Sequence, residues 1–305
     1  MTPKEVFDLV QEFGGQVREA WRHTDMPWST FQGLFARHKR GTFKRVLATG
    51  DWHCGHRAGL TPPPWQSTPH EEADQKKRMY ADLQVEMWDW FSQLISKIQP
   101  IDVLIGNGDL IDGKGDKSGG VEQTTTDLKE QADMAIHIAK FIDARTNVFT
   151  RGTPYHVNGK DFTNYEQLVA EAVKGRVGSH EWVDVNGVVF DVKHKIGGSS
   201  VPWGRATAIK KERVWNILWN ERNYSPKADI MLRSHVHYYD ESASRGWRGV
   251  VLPSLQGPST IYGASQCSGV VDTGCVVFDI YDDGTYAHKV YLMDVQSTRP
   301  TPIQA

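Results

Sequence analysis

Cysteine is scarce in this 305-residue chain: Cys54, Cys267 and Cys275 are odd in number and irregularly spaced. Neither a disulfide framework nor a four-cysteine zinc site is implied, and a reducing cytoplasm fits best. No apolar run approaches the roughly 20 residues of a membrane span. Met1-Thr2-Pro3-Lys4-Glu5 lacks the basic start and apolar stretch of a signal peptide, so a cytoplasmic protein with no membrane partner is expected. Internal repeats and low-complexity tracts are absent as well. Gly113-Lys114-Gly115 lacks the rest of a P-loop, which argues against nucleoside triphosphate binding, and Ser199-Ser200 near His194 completes no triad. Charge of one sign is also missing overall, with a net value of -2. Its distribution is uneven: residues 1–45 carry eight Lys/Arg against five Asp/Glu, a balance of +3 that leaves -5 for the remainder. The excess gathers at Arg37, Lys39, Arg40, Lys44 and Arg45.

Aromatic and acid–imidazole residues are plentiful by contrast. Eleven tryptophans point to broad aromatic packing without naming a ligand. Five short clusters of Asp and His recur in order: Gly50-Asp51-Trp52-His53, Gly108-Asp109-Leu110-Ile111-Asp112, Gly152-Thr153-Pro154-Tyr155-His156, His194, and Ser234-His235-Val236-His237. Most follow a short apolar run that reads as a buried strand, so the ligands would stand at strand C-terminal ends. Carboxylate and imidazole together suit divalent Mn, Fe or Zn. Six or seven such ligands are too many for one tetrahedral ion but suit two ions sharing a carboxylate, and Asp109 is placed to bridge. A single His at a strand end is usually a surface or hydrogen-bonded residue, and Asp109 or Asp112 alone would serve as a cap or turn residue. Their joint order is what points to metal chemistry, and two-metal sites clamp the attacking and leaving oxygens of phosphoryl transfer.

The rest of the chain reads as alternating strands and helices followed by hairpins. Val46–Thr49, 101–105 and 147–150 are expected strands, with helices near 73–98, 125–144 and 164–173. Asn186-Gly187 and Asp282-Asp283-Gly284 are hairpin turns. The expected fold is mixed α/β (α+β): a four-layer, two-sheet β-sandwich flanked by helices and preceded by a small helical module. The domain division expected is 1–42 for the module and 43–305 for the sandwich. Within the module, Val6, Leu9, Val10 and Phe13 mark one helix, and Val17, Ala20 and Trp21 a second. Phe31, Leu34 and Phe35 mark a third, capped by Ser29 or Thr30. The stretch from Glu12 to Ala20 followed by Met26-Pro27-Trp28-Ser29-Thr30-Phe31 resembles small helix-turn-helix domains, which implies DNA or RNA binding through residues 1–45. Thr24 and Asp25 stand where such domains carry Leu and Gly. The other reading is a three-helix cap packed on the catalytic domain.

The five clusters together resemble the calcineurin-like metallophosphoesterase superfamily, whose motifs run Asp-x-His, Gly-Asp-x-x-Asp, Gly-Asn-His, a lone His, and Gly-His-x-His. The resemblance spans about residues 44–295. It implies a phosphoester substrate and two divalent metal ions. One would be held by Asp51, His53, Asp109 and His237, the other by Asp109, His194, His235 and a ligand from the third motif. Asp112 would act as support behind the ligands, and Ser234 replaces the usual Gly. In the third motif Thr153 stands in the Asn position. His156 comes two residues later than the family's catalytic histidine, and either protonates the leaving oxygen or fills the empty ligand position. Asn158 is a remote substitute. Arg151 or His56 would add a phosphate contact, and Cys54 beside His53 points away yet could confer sensitivity to oxidation. The loop 253–258 lies either at the site mouth or in a purely structural role. The Asp-x-His-x-Gly form of Asp51 to Gly55 resembles that of the superfamily's DNA-repair nucleases. Rival readings are a non-catalytic nucleic-acid-binding protein with a degenerate metal site, and a phosphoprotein phosphatase.

Overall fold

The computed structural model describes residues 1–39, 42–69, 74–116, 118–157, 163–199, 201–260 and 271–299. Arg40, Asn158 and Cys267 lie outside the described residues, as do the side chains of Arg37 and Lys39.

Three helices open the chain: α1 (Pro3–Glu12), α2 (Val17–Arg22) and α3 (Trp28–Lys39). Thr2 caps α1 reciprocally with Glu5, its hydroxyl accepting from the Glu5 amide and its own amide donating to the Glu5 carboxylate. Val6, Val10, Ala20 and Phe31 bury themselves in a core of their own, with Leu9, Phe13, Val17 and Trp21 packed around it. The expected cap is corrected: α3 begins at Trp28, so Ser29 and Thr30 lie inside its first turn, and the Phe31 amide already bonds the Pro27 carbonyl.

The strands that follow are β1 (Phe43–Thr49), β2 (Val103–Asn107), β3 (Thr146–Thr150), β4 (Arg176–Gly178), β5 (Glu181–Val185) and β6 (Val188–Lys195). After these come β7 (Ile230–Ser234), β8 (Asp240–Ser244), β9 (Trp247–Val251), β10 (Gly274–Tyr281) and β11 (Tyr286–Leu292). Helices α4 (Gln75–Ile98), α5 (Leu128–Ile142), α6 (Pro154–Val157), α7 (Tyr165–Ala172) and α8 (Arg205–Glu221) connect them. One sheet has the order β11-β10-β1-β2-β3-β4 and the other β5-β6-β7-β9-β8. In the first sheet β1 to β4 are parallel, and in the second β6, β7 and β9 are parallel, with antiparallel strands at the edges.

Strand periodicity explains the layers. Val46 and Ala48 face the second sheet, meeting a filling that includes Phe190, Ile230, Leu232 and Phe278, while Leu47 between them faces the helices. The outer face of the first sheet is covered by apolar residues of α4, α5 and α7, such as Phe91, Ile138 and Val169. Ile209 of α8 packs with Met231 and Val251 on the outer face of the second. The result is the expected helix–sheet–sheet–helix sandwich. Asn186 (φ 51°) and Gly187 (φ 81°) form the tight β5–β6 turn, both residues in the left-handed region such a turn demands. No helix among the described residues is long and apolar enough to cross a membrane.

Candidate metal centre

Parallel strands deliver their C-terminal ends to one edge of the molecule, the usual place for ligand-binding loops in α/β sheets. Asp51 follows β1, Asp109 follows β2, Thr153 follows β3, and His235 and His237 follow β7. His194 is the penultimate residue of β6 rather than beyond it, at an irregularity in the register between Val192 and Lys195. The chain bends sharply at these ends. Ten non-glycine residues among those described hold positive φ, and five are Asp51, His53, Asp109, His235 and His237. Left-handed backbone is unfavourable for such residues, and its concentration here marks a site over-determined by its surroundings.

Two clusters result. In the first, the Nε2 atoms of His53 and His237 are 3.2 Å apart, and Asp51 Oδ1 lies 3.5 Å from His237 Nε2 and 4.0 Å from His53 Nε2. Asp51 Oδ1 is buried and accepts no hydrogen bond among the described residues. In the second, His194 Nε2 is 3.0 Å from Asp109 Oδ2, and His235 completes a set whose ligand atoms lie within 4.8 Å of one another. Asp109 also falls within 4.8 Å of ligand atoms of His53 and His156, so its carboxylate stands between the clusters. Asp51, His53, Asp109, His194 and His237 are buried, and His235 is half-buried. An orphaned carboxylate oxygen converging with imidazole nitrogens is a donor set that fits divalent cations.

Hydrogen bonds fix the ring orientations. His53 Nδ1 lies 2.8 Å from Asp112 Oδ1 and His194 Nδ1 lies 2.8 Å from the Asn107 carbonyl, so each donates there and turns Nε2 toward its cluster. Burial alone would raise the Asp109 carboxyl, but His194, His156 and His53 hold it well below the usual carboxylate range. Burial likewise opposes charge on His194, and the Asp109 carboxylate overrides it, lifting that imidazole to about 10. His235 is pushed down to about 4 by burial and by the charge of His194. Glycine is required twice: a Cβ on Gly152 would stand 2.1 Å from Asp109 Oδ1, and one on Gly108 (φ 75°) 2.6 Å from His194 Nδ1.

The third motif resolves into two positions. Thr153 Oγ1 is 3.1 Å from Asp109 Oδ2, 3.4 Å from His235 Nδ1 and 3.5 Å from His194 Nε2, so Thr153 stands in the second cluster. Its amide also donates to Asp109 Oδ1 at 2.6 Å. His156 is on the other side, its Nδ1 donating to the Asp112 carbonyl and its ring edge-on to His53. Thr153 thus stands beside His194 and His235, while His156 groups with His53 and Asp109. Asp112 supports His53 and receives the Gln123 amide.

Both clusters open into a cavity of about 490 Å³ whose wall includes His56, Glu122, Gln123, Tyr155, Lys195 and Gln256. His56 therefore faces the site, with Nδ1 accepting from the Ala58 amide and Nε2 3.7 Å from Glu122. Arg151 does not line the cavity, and its side chain is exposed. The buried Cys54 thiol is raised by desolvation, which keeps it protonated and opposes the expected sensitivity to oxidation. The 253–258 loop serves the site directly: Ser254 Oγ donates to the Asp51 carbonyl and Gln256 lines the cavity. Ser234 also acts, its hydroxyl accepting from Asn107 and tying β7 to β2.

Sequence reasoning missed Glu166, Gln131 and Lys195. Glu166 of α7 is buried and accepts from the Leu110 and Gly152 amides at 3.1 and 2.9 Å, clamping the loops that carry Asp109 and Thr153. Desolvation and the nearby Asp109 charge raise its carboxyl to about 7. Gln131 of α5 likewise accepts from the Asp112 and Gly113 amides. Neither carries a local sequence signal, whereas Lys195, next to His194, did.

The two-sheet sandwich with paired carboxylate–imidazole clusters at its strand ends defines an architecture of the metallophosphoesterase type. No protein-family profile and no curated protein matches the chain. Entamoeba histolytica Vps29 complexed with zinc is 14% identical over 81% of this chain and 98% of its own, with a TM-score of 0.38. An archaeal phosphodiesterase is 9% identical over 81% and 99%, TM-score 0.41. A Streptococcus pneumoniae protein described as a predicted phosphoesterase is 9% identical over 83% and 99%, TM-score 0.34.

Proposed function

We propose that this protein is a metal-dependent phosphoesterase that hydrolyses phosphodiester or phosphomonoester bonds at a two-metal site. The observation that carries the reading is the carboxylate of Asp109, set between the Asp51–His53–His237 cluster and the His194–His235–Thr153 cluster at the floor of one cavity. Two divalent cations of the Mn, Fe or Zn type, held there, would supply Lewis acidity and a water of lowered pKa. Asp51, His53 and His237 would hold one, His194, His235 and the Thr153 hydroxyl the other, with Asp109 common to both.

The remaining roles fall to the chain's own groups. His156, its Nδ1 committed to the Asp112 carbonyl, has Nε2 to hold or release a proton toward a leaving oxygen. Lys195 and His56 on the cavity wall present cationic and N–H groups to a phosphoryl group. Nucleic acid is the first substrate to test, on the strength of the α1–α3 module and the basic balance of residues 1–45. Arg45 adds nothing to that balance at the surface, because its guanidinium is paired with Asp279 at 2.8 Å.

The test is hydrolysis of bis-p-nitrophenyl phosphate with Mn²⁺, comparing the unaltered chain with Asp109→Asn. Turnover that disappears in the variant supports the reading. A folded, metal-loaded protein with no turnover on this diester or on the p-nitrophenyl monoester would sink it, leaving a nucleic-acid-binding protein with a non-catalytic metal site.

A further inference from the structure

Helix α8 covers the second sheet with one side only. Its inner side is fully engaged: Ile209 is buried in the apolar cluster there, Glu212 binds Lys193 and Arg233, and Arg213 reaches the Ala228 carbonyl. Its outer side is apolar and uncovered, with Val214 57%, Trp215 51%, Ile217 41% and Leu218 41% exposed. Just beyond its two ends stand Trp203, 88% exposed, and Tyr224, 76% exposed. Six large apolar or aromatic side chains exposed along one helix and at its ends are more than scattered surface hydrophobics require.

We propose that this face of α8 is a twofold interface with a second copy of this chain, the two α8 helices lying antiparallel. The argument is self-complementarity. Residues 211, 214, 218 and 221 follow the 3-4-3 spacing of one helix side, reading Lys, Val, Leu, Glu. A twofold axis at the level of Asn216 sets Lys211 of each copy opposite Glu221 of the other, and Val214 opposite Leu218. Trp215 and Ile217, two residues apart and so on opposite flanks of the Val214–Leu218 stripe, each come to face their own counterpart in the other copy. An isologous interface needs a patch that complements itself, and a central apolar stripe closed by opposite charges meets that need. Lys211 and Glu221 are both exposed, and neither makes an ion pair with any described residue. The edge of the molecule carrying the metal clusters lies at the strand ends, so pairing through the outside of α8 leaves the cavity open.

Sedimentation equilibrium of the full chain at tens of micromolar is expected to give twice the chain mass, and Leu218→Glu to return it to the chain mass with unchanged far-ultraviolet circular dichroism. The decisive pair is charge reversal. Lys211→Glu and Glu221→Lys should each weaken self-association about tenfold, and the double variant should restore it. A wild-type chain that sediments as a monomer overturns the proposal. So does a dimer indifferent to Leu218→Glu, or a double variant no better than either single one. Recruitment of the monomer to anionic vesicles would instead assign the face to a membrane surface.

Discussion

His53 and His237 bring their Nε2 atoms to 3.2 Å from strand ends 184 residues apart in sequence. With His53 Nδ1–H committed to Asp112, the His53 Nε2 lone pair faces a second imidazole and the orphaned Asp51 oxygen. Such a constellation is satisfied by a cation. Saturating Mn²⁺ or Zn²⁺ should therefore raise the melting temperature over a chelator-treated sample by about 5 °C or more, as binding at roughly 100 times Kd contributes about 2.7 kcal/mol. His237→Ala should lose most of that shift. A midpoint that ignores metal in calorimetry would mean that the first cluster does not bind.

Cation binding at the second cluster has a pH signature. His194, lifted to about 10 by Asp109, carries a proton at neutral pH in the metal-free protein. A cation must displace that proton, so the affinity of this site should rise about tenfold per pH unit through the neutral range until His194 titrates. Calorimetric titration in buffers of different ionisation enthalpy reads this directly: one proton released per cation at this site is expected. His194→Gln should remove both the release and most of the affinity.

Glu166 links the site to folding. Its carboxyl is raised from 4.5 to about 7, so the folded state prefers the protonated form. The stability this confers is complete below about pH 4.5 and is lost as pH rises through about 7. For a fully buried group the span of that loss is on the order of 3 kcal/mol. Urea titrations of the metal-free protein across this window should show it, superimposed on the other ionisations. In Glu166→Gln the decline should flatten, although absolute stability falls because one amide oxygen cannot replace two carboxylate oxygens accepting from Leu110 and Gly152. An identical slope in wild type and variant would assign the pH dependence elsewhere.

These cases also show which features were legible in the sequence. Asp51, Asp109, His235 and His237 each follow an apolar run, so local pattern alone placed them at strand ends, and their common edge followed from parallel topology. The two hairpin turns were legible because only certain residues tolerate their backbone. Glu166 and Gln131 were not, since they reach the site from helices that pack against it, and nothing beside them in the chain signals a partner. Helix α8 and the β8–β9 hairpin were missed for a related reason: the outer side of α8 is apolar too, which blurs its periodicity, and β8 is polar at four of its five positions. Arg45 belongs to a basic run in sequence, but its partner Asp279 comes from β10, far along the chain.

Thr153 carries the sharpest test of chain-specific chemistry. Its hydroxyl lies 3.1 to 3.5 Å from three donor atoms of the second cluster, the place of an amide in the related motif. A neutral hydroxyl is a weaker donor to a cation than an amide oxygen, so the two sites should fill in order, the Asp51–His53–His237 site first. Thr153→Asn should tighten the second site about tenfold, while Thr153→Val, which keeps the backbone amide bond to Asp109 but removes the hydroxyl, should weaken it by a similar factor. Two-site calorimetry with Mn²⁺ separates these steps without recourse to turnover. If both variants bind as the wild type does, the hydroxyl faces the cluster without touching the ion, and the ligand completing the second site must be sought in water.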